Sequence, residues 1–405
     1  MAPPFRRRIL YIPGYDPIPP RRYRELYKRE GAAQAGISGY RLDFGARQDR
    51  SGFGWGVTGD FGDGAQAQSE FEVLIWADIV QDSMGHSIAA TYGQLVRTAW
   101  AYLGSGALLR LMRLRRGPVI AALYPVVVLG LQLLLALSLG ALAGVAAGWI
   151  GAHVAPWGWW LALPVFLAVT WATLRLWQRL DGRFFAYYLM HDYAFTAQNG
   201  GAYPPALETR INRFTDRIAQ VLQDGWDEVL VVGHSSGAYL AVSVLADLQR
   251  AGRIPAGANL SLLTLGHVVP MASFLPRADR LRRDLRDLSV SDRITWVDVT
   301  APGDACSFGL CDPVAVSGVA PEGQCWPLVI SAAFTLSLSP ARLKSLKWRW
   351  FRLHFQYLCA FDRVRDYDYF AITAGPLTLA QRYADRPHSP GRITTPANRH
   401  VTVAP

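Results

Sequence analysis

The sequence predicts an α/β fold, with a mostly parallel sheet covered by helices on both faces and interrupted by a transmembrane helical hairpin. Short apolar runs of strand length, such as Glu228–Val232 and Leu260–Leu265, alternate with longer segments of helical periodicity. This alternation is typical of parallel sheets that are buried on both faces. Residues 117–174 contain no Asp, Glu, Lys or Arg, and this stretch is long enough for two membrane-spanning helices.

The elements of the soluble part follow from apolar periodicity and turn residues. The predicted strands are Arg8–Ile12, Glu72–Ala77, Glu228–Val232, Leu260–Leu265 and Ile294–Val299. The predicted helices are Arg21–Glu30, Leu207–Val221 and Ala238–Arg250. Residues 40–64, rich in glycine and aromatic side chains, are expected to form strands and turns. The domain boundaries that follow are 1–109 and 185–386 for the two parts of one domain, 110–184 for the hairpin, and 387–405 for a loose tail.

The composition excludes several classes of protein. Hydrophobic residues make up 51% of the 405 positions and charged residues only 18%, which excludes a disordered chain. The first apolar run, Ile9–Ile12, is too short for a secretory signal peptide. The four cysteines are too few for a disulfide scaffold and match no usual zinc spacing, so structural thiols are expected. No metal and no organic cofactor is expected.

The charge-free stretch predicts helices at about 119–142 and 157–177, joined by a turn at 151–156. Arginines flank both ends of this stretch: Arg110, Arg113, Arg115, Arg116, Arg175, Arg179 and Arg183. Because basic flanks face the cytoplasm, the sequence predicts an integral protein of the cytoplasmic (inner) membrane. Residues 118–177 would contact the bilayer, and the soluble domain would face the cytoplasm. A buried helical pair inside a large soluble core is the alternative.

Small residues recur along one face of the first hairpin helix. Gly140, Gly144 and Gly148 form a small-xxx-small row, which permits another helix to approach closely. One expectation from this row is a homo-oligomer that assembles through this face.

A Gly-x-Ser-x-Gly motif lies between an apolar strand and a helix. It reads Gly233-His234-Ser235-Ser236-Gly237. In this context the serine stands on a sharp turn with its hydroxyl exposed, and the glycines at 233 and 237 leave room for the neighbouring strand and helix. The start of the helix directs backbone N–H groups towards a developing oxyanion. The motif therefore predicts a nucleophile at Ser235, with an ordinary tight turn as the alternative.

At this motif the chain resembles the α/β-hydrolase superfamily, in its membrane-anchored serine esterase or lipase-like members, most sharply over residues 228–245. The resemblance implies an oxyanion hole formed by the Ser236 N–H and by an N–H in the loop after the first strand, here Tyr15. In this loop Pro13 precedes Gly14, where a His-Gly pair is commoner. The resemblance also implies that the acid and then the histidine follow the serine along the chain.

The acid is expected just beyond a strand that follows the motif. Asp304 lies in the turn after Ile294–Val299 and is the first choice, with Asp298 and Asp312 as alternatives. The alternative role for each carboxylate is to stabilise a turn or cap a helix.

The histidine must then come later in the chain. His354 lies in an aromatic segment expected to be ordered, whereas His388 and His400 lie in the predicted loose tail. His267 follows a strand but precedes the acid, so we expect it to line the pocket. His234 occupies the variable position of the motif and is expected to be structural.

The net charge of +10 is concentrated near the hairpin and in one later segment. That segment contains Arg342, Lys344, Lys347, Trp348, Arg349, Trp350 and Arg352. Basic residues interleaved with tryptophan suit an anionic lipid surface, a nucleic acid or a solvated helix face. The hairpin favours lipid, and no nucleic-acid partner is expected.

Together these features predict a membrane-anchored serine hydrolase. It would cleave a carboxylic ester, from a lipid or another acyl ester, through an acyl-enzyme on Ser235. An acyltransferase with the same triad and a catalytically silent membrane scaffold are the two alternatives.

Overall fold

The computed structural model of the chain describes residues 3–47, 49, 51–62, 64–85 and 87–404. The strands among these residues are β1 (Phe5–Ile12), β2 (Arg41–Gly45), β3 (Gly54–Asp60), β4 (Gln66–Val73), β5 (Glu228–His234), β6 (Leu260–Leu265), β7 (Ile294–Thr300) and β8 (Leu328–Ser331). The α-helices are α1 (Arg21–Ser38), α2 (Ala77–Ser83), α3 (Ile88–Gly104), α4 (Ala107–Leu114), α5 (Arg116–Val154), α6 (Ala162–Arg179), α7 (Asp181–Phe184), α8 (Ala186–Ala197), α9 (Pro205–Val221), α10 (Ser236–Arg250), α11 (Val269–Ser273), α12 (Asp279–Ser289), α13 (Pro313–Val316), α14 (Phe334–Ser337), α15 (Pro340–Leu346), α16 (Trp350–His354), α17 (Tyr369–Ala374) and α18 (Leu379–Arg382).

The described strands form one sheet in the order β2-β3-β4-β1-β5-β6-β7-β8. The pairs from β4 across to β8 are parallel, and β3 pairs antiparallel with both β2 and β4. The mostly parallel sheet with helices is therefore confirmed at the level of the α/β class. The antiparallel edge strands come from the glycine- and aromatic-rich region 40–64.

The order of the strands reverses between β1 and β5. The three strands that follow β1 in the chain, β2, β3 and β4, lie on one side of it, whereas β5, β6, β7 and β8 follow one another on the other side. In open parallel sheets, ligands bind at such a switch point, beyond the carboxyl ends of the strands. The loops after β1 and β5 lie at this switch point.

Buried ion pairs fix β1 between its two neighbours. The Arg7 guanidinium donates to Glu228 on β5 at 2.6 Å, and the Arg8 guanidinium donates to Glu70 on β4 at 2.6 Å. Both arginine side chains are buried. Because an unpaired buried charge is costly, these pairs specify which strands lie beside β1.

The chain divides into two compact units. One contains the described residues of 1–81, 105–118 and 199–405, and the other those of 82–104 and 119–198. The second unit therefore holds α3 and α8 in addition to the predicted hairpin. Within it, Leu129 of α5 packs with Tyr187 and Met190 of α8, and with Tyr92 of α3. The predicted hairpin boundaries, 110 and 184, do not include these two helices.

Two helical segments, Arg116–Val154 and Gly158–Arg179, are long and apolar enough to cross a membrane. The first is one helix of 39 residues that continues through Pro125 and extends beyond the predicted end at 142. In the most apolar stretch of each segment, only 22% and 6% of the residues are buried. Most of their apolar side chains are therefore not covered by the described protein, unlike those of a core helix.

The glycine row of α5 faces α6 of the same hairpin. A Cβ atom at Gly140 would lie 2.8 Å from the carbonyl oxygen of Phe166, and one at Gly144 would lie 2.7 Å from that of Ala162. At Gly148 it would lie 2.5 Å from the Trp159 ring. Gly140, Gly144 and Gly148 therefore let the two halves of the hairpin approach each other closely, and a homo-oligomer through this row stays a prediction.

Two predictions are corrected by the structure. The strand predicted at 72–77 is Gln66–Val73, and its first half alternates polar with small residues, which hid it from a search for apolar runs. The predicted loose tail is held in place by backbone hydrogen bonds. The Ser389 N–H donates to Val329 at 2.9 Å, and the Ile393 N–H donates to Leu310 at 2.8 Å.

Candidate active site

The predicted site residues follow the carboxyl ends of four neighbouring parallel strands. The Tyr15 loop follows β1, Ser235 follows β5, His267 follows β6, and Asp304 follows β7. Carboxyl ends of parallel strands meet at one edge of a sheet, so these loops share the edge that contains the switch point.

Ser235 occupies a strained turn between β5 and α10. Its φ is 58° and its ψ is −123°, a region that non-glycine residues rarely adopt and that costs about 1–3 kcal/mol. Ser235 is partly exposed, whereas every other residue from 228 to 246 is buried. Its N–H donates to the Leu265 carbonyl at 2.9 Å, which ties the turn to the end of β6.

The glycines of the motif permit three backbone segments to meet. A Cβ atom at Gly237 would lie 2.6 Å from the Pro13 carbonyl oxygen. One at Gly233 would lie 2.7 Å from the Cα of Ala238. Real Cβ atoms do not approach other atoms this closely, so any larger residue would push the turn away from α10 or from the loop after β1.

The loop after β1 lies directly against the serine. A Cβ atom at Gly14 would lie 2.9 Å from that of Ser235. The Trp76 indole N–H donates to the Pro13 carbonyl at 2.9 Å and anchors the loop. The Tyr15 N–H donates to the Ser236 hydroxyl at 3.0 Å. The Ser236 N–H is in the first turn of α10, where a helix has no acceptor of its own.

The structure brings His354 and Asp304 together. The Nδ1 of His354 lies 2.8 Å from the Oδ2 of Asp304, and both side chains are buried. The contact favours the tautomer in which Nδ1 carries the proton and Nε2 is free to accept one. Nε2 is buried and has no hydrogen-bond partner among the described residues. The ring lies beside Gly266, where a Cβ atom would be 3.1 Å from its Cε1.

Further donors hold the Asp304 carboxylate. The Tyr357 hydroxyl donates to Oδ2 at 3.0 Å, and the Cys306 N–H donates to Oδ1 at 2.9 Å. Burial alone would raise the pKa of Asp304, but the charge and hydrogen bond of His354, with hydrogen bonds from Cys306 and Ser307, outweigh it and hold that pKa below its ordinary value. Sequence reasoning gave Tyr357 no role, although its place three residues after His354 in one ordered segment was a usable signal.

The two alternative acids have other partners. Asp298 accepts from the Thr264 hydroxyl at 2.6 Å and lies 3.6 Å from His267. Burial raises the pKa of Asp298 to about 6. Asp312 caps α13 by accepting from the Val314 N–H at 2.9 Å, and it also accepts from Arg392. Asp312 thus has the cap role that the sequence analysis kept as its alternative.

His267 is not a pocket residue, and this expectation is corrected. Its side chain is fully buried, and its Nε2 lies 3.0 Å from the Cys311 carbonyl oxygen. Its own carbonyl accepts from the Phe308 N–H at 3.2 Å. His267 therefore holds the segment that follows Asp304 from inside the fold.

The other histidines have identifiable partners. The Nε2 of His234 lies 3.2 Å from the His354 carbonyl oxygen. Burial, and then repulsion from His354, lowers the pKa of His234 to about 3, so it stays neutral and supports the backbone of its neighbour. His388 accepts from the Val329 N–H at 3.1 Å, and His400 lies 3.3 Å from the Ser105 carbonyl oxygen.

The described part of the chain contains no group of three or more His, Cys, Asp or Glu side chains that could hold a metal ion. No protein-family model matches the chain, and no curated protein or solved structure is significantly similar to it.

Proposed function

We propose that the chain is a membrane-anchored serine hydrolase that cleaves a carboxylic ester through an acyl-enzyme on Ser235. The observation that carries this proposal is the buried His354–Asp304 pair, 2.8 Å apart, at the sheet edge that also presents Ser235. A histidine oriented by a carboxylate, with its second nitrogen free, is the group that a serine nucleophile needs.

The roles follow from the atoms. The Ser235 Oγ attacks the ester carbonyl carbon while the Nε2 of His354 takes the hydroxyl proton. The tetrahedral intermediate collapses, the bond to the alcohol oxygen breaks, and the imidazolium returns the proton to the departing alcohol. Water then attacks the acyl-enzyme, again losing its proton to Nε2, and the carboxylic acid leaves as Ser235 regains its hydroxyl proton.

Asp304 supports both halves of this cycle. Its lowered pKa keeps the carboxylate ionised at neutral pH, so it stabilises the imidazolium each time this forms. The N–H of Ser236, and that of Tyr15 once the Ser236 hydroxyl turns away, would donate to the oxyanion.

One step requires a local movement. The structure has no hydrogen bond to the Nε2 of His354 among the described residues. Catalysis requires the Ser235 hydroxyl to come within about 2.6–3.2 Å of this nitrogen, and such bonds often tighten only in the substrate complex.

We further propose that α5 and the segment Gly158–Arg179 cross the cytoplasmic membrane, with the catalytic unit in the cytoplasm. The arginines at both ends of the pair support this orientation. An acyl ester of a membrane lipid is then the simplest substrate class. Trp348 is 78% exposed beside Lys347 and Arg349, which suits contact with an anionic lipid surface.

A fluorophosphonate probe tests the nucleophile directly. We expect the wild-type chain in detergent micelles to be labelled and to hydrolyse short-chain esters. Ser235→Ala should lose the label and on the order of 10⁶ in kcat. Ser345→Ala is the matched control, because this exposed serine on α15 should leave both readouts unchanged.

Three outcomes separate the alternatives. Labelling of Ser235→Ala to the wild-type level would refute the nucleophile. A wild-type chain that neither reacts with the probe nor cleaves esters would indicate the silent scaffold. Transfer of the acyl group to an added alcohol in preference to water would indicate the acyltransferase.

A further inference from the structure

A cavity of about 670 Å³ lies between residues 112–118 and the loop 302–309 that carries Asp304. All of these residues belong to the same compact unit. The volume falls within the range of about 300–1,000 Å³ that is usual for small-molecule sites. The proposed catalytic mechanism uses none of its wall except Asp304.

Three arginines line this cavity, Arg113, Arg115 and Arg116. None of them forms an ion pair with a carboxylate in the part of the chain that the structure describes. Asp304 is the only acidic residue in the wall, and its carboxylate is already held by His354, Tyr357 and the Cys306 N–H. The cavity is therefore strongly positive, with no internal counter-charge.

Arg115 is held at the wall itself. Its Nε is buried without a hydrogen-bond partner among the described residues, and its guanidinium interacts with the Cys311 thiol. Burial raises the pKa of Cys311 to about 12, and the nearby Arg115 opposes this only in part, so the thiol is neutral and supplies no counter-charge.

The positive-inside rule alone does not account for this arrangement. A second set of three arginines, Arg175, Arg179 and Arg183, flanks the other apolar helix, and these are exposed, as Arg113 and Arg116 are. Both sets satisfy the rule equally, and the first also lines the cavity described above. Arginine guanidinium groups recognise phosphate through paired hydrogen bonds to its oxygens. Several guanidinium groups around one cavity therefore favour a phosphate group as the ligand.

We propose that this cavity binds a phosphate group, either in the headgroup of an anionic lipid or in a soluble phosphate ester. The first turn of α5, Arg116–Pro118, adds the positive end of a long helix to the same wall. Its position at the start of an apolar helix puts the cavity where a phospholipid headgroup would lie, if α5 spans a membrane. The binding does not depend on the chemistry of Ser235.

Binding can be measured without turnover in full-length Ser235→Ala protein in neutral detergent micelles. The probes are glycerol 3-phosphate against glycerol, and dihexanoyl phosphatidylglycerol against dihexanoylglycerol, which lacks the phosphate. A phosphate-bearing probe that binds should do so at least about tenfold more tightly than its phosphate-free partner. Its affinity should fall as the salt concentration is raised. Binding of glycerol 3-phosphate identifies a soluble source, and binding of the lipid probe alone identifies a headgroup.

The triple variant R113Q/R115Q/R116Q should raise the Kd of the binding probe by about tenfold or more. The control variant R175Q/R179Q/R183Q removes the same charge and should change the Kd by less than about twofold. Because Arg115 also contacts Cys311, the double variant R113Q/R116Q covers the case in which the triple variant fails to fold, and it should raise the Kd by about threefold or more. Equal weakening in the control, or no preference for phosphate in either probe pair, would overturn the proposal.

Discussion

Asp304 and Asp298 form a matched pair whose substitutions should have opposite effects. Both are fully buried aspartates beside a buried histidine, on or just after β7. Asp304 touches its histidine at 2.8 Å, whereas Asp298 lies 3.6 Å from His267. The shift in pKa is downward for Asp304 and upward, to about 6, for Asp298.

Asp304→Asn should disable the proposed base. The amide would present an N–H to the Nδ1 of His354, so the ring would carry its proton on Nε2 and could not accept one from Ser235. In studied triads this substitution costs about 10⁴ in kcat. Asp298→Asn leaves the contacts of His354 intact, so ester hydrolysis should stay within about threefold of wild type.

The stability of the two variants should respond to pH in different ways. A pKa that rises from 3.8 in the unfolded chain to about 6 in the fold corresponds to about 3 kcal/mol. Because protonated Asp298 is favoured in the fold, its contribution to the free energy of unfolding is fully present below about pH 4 and is lost as the pH rises through about 6. Asp298→Asn stays neutral, so relative to wild type it should gain up to about 3 kcal/mol between pH 4 and pH 7.

The pH dependence of stability that is expected from Asp304 has the opposite sign. Its lowered pKa means that the charged form stabilises the fold above the ordinary pKa of an aspartate, and this contribution is lost only as the pH falls through the lower value in the fold. Asp304→Asn should therefore be less stable than wild type across the neutral range.

Thermal unfolding of each variant in detergent from pH 4.5 to pH 7.5, together with kcat/KM for a short-chain ester, tests both predictions. If Asp298→Asn loses activity by orders of magnitude while Asp304→Asn keeps it, the acid has been wrongly chosen. If the difference in unfolding temperature between Asp298→Asn and wild type does not change with pH, the reasoning from burial fails.

Two further predictions concern the contact between Tyr357 and Asp304 and the orientation of the hairpin. Tyr357→Phe removes the hydroxyl that donates to the Asp304 carboxylate at 3.0 Å, and it should lower the free energy of unfolding by roughly 1.5–3 kcal/mol. The control Tyr367→Phe removes a hydrogen bond to a neutral carbonyl and should lower it by roughly 0.5–1.5 kcal/mol. Equal losses of unfolding free energy would show that the Asp304 contact has no special weight. A reporter inserted at Ala152, between the two apolar helices, should be accessible from outside the cytoplasm and one fused to the C-terminus should not, because arginines flank both outer ends; the reverse pattern would place the catalytic unit on the other side.

The residues proposed for the site could be chosen from the sequence because the signals for them are local. Gly233, Ser235 and Gly237 lie within five residues, and the required strand and helix adjoin them, so the motif can be recognised without any long-range contact. The choice of Asp304 needed only chain order and one strand end. The geometry of Ser235 agrees with the motif, and His354 lies beside Asp304 as expected.

The parts that failed depend on contacts between distant segments. The tail after Pro387 has a composition typical of a loop, but hydrogen bonds to distant segments, such as those to the carbonyls of Val329 and Leu310, hold it in place. Likewise, His267 follows a strand as a pocket residue would, but the segment after Asp304 folds over it and buries it. Hydrophobic periodicity predicts helices and strands, but it does not show which distant segment packs over a given residue.

The loop after β7 connects three features of the molecule: it carries Asp304, packs against the first turn of α5 and lines the arginine cavity. Tyr357 and the Cys306 N–H hold the Asp304 carboxylate from within, and His267 holds Phe308 and Cys311 further along the same loop. On the outer side, a Cβ atom at Gly117 would lie 3.4 Å from the Cα of Ala305, so the first turn of α5 packs directly against the loop. A group bound between the arginines at that turn and the loop would therefore contact the same backbone segment that carries Asp304, the proposed acid.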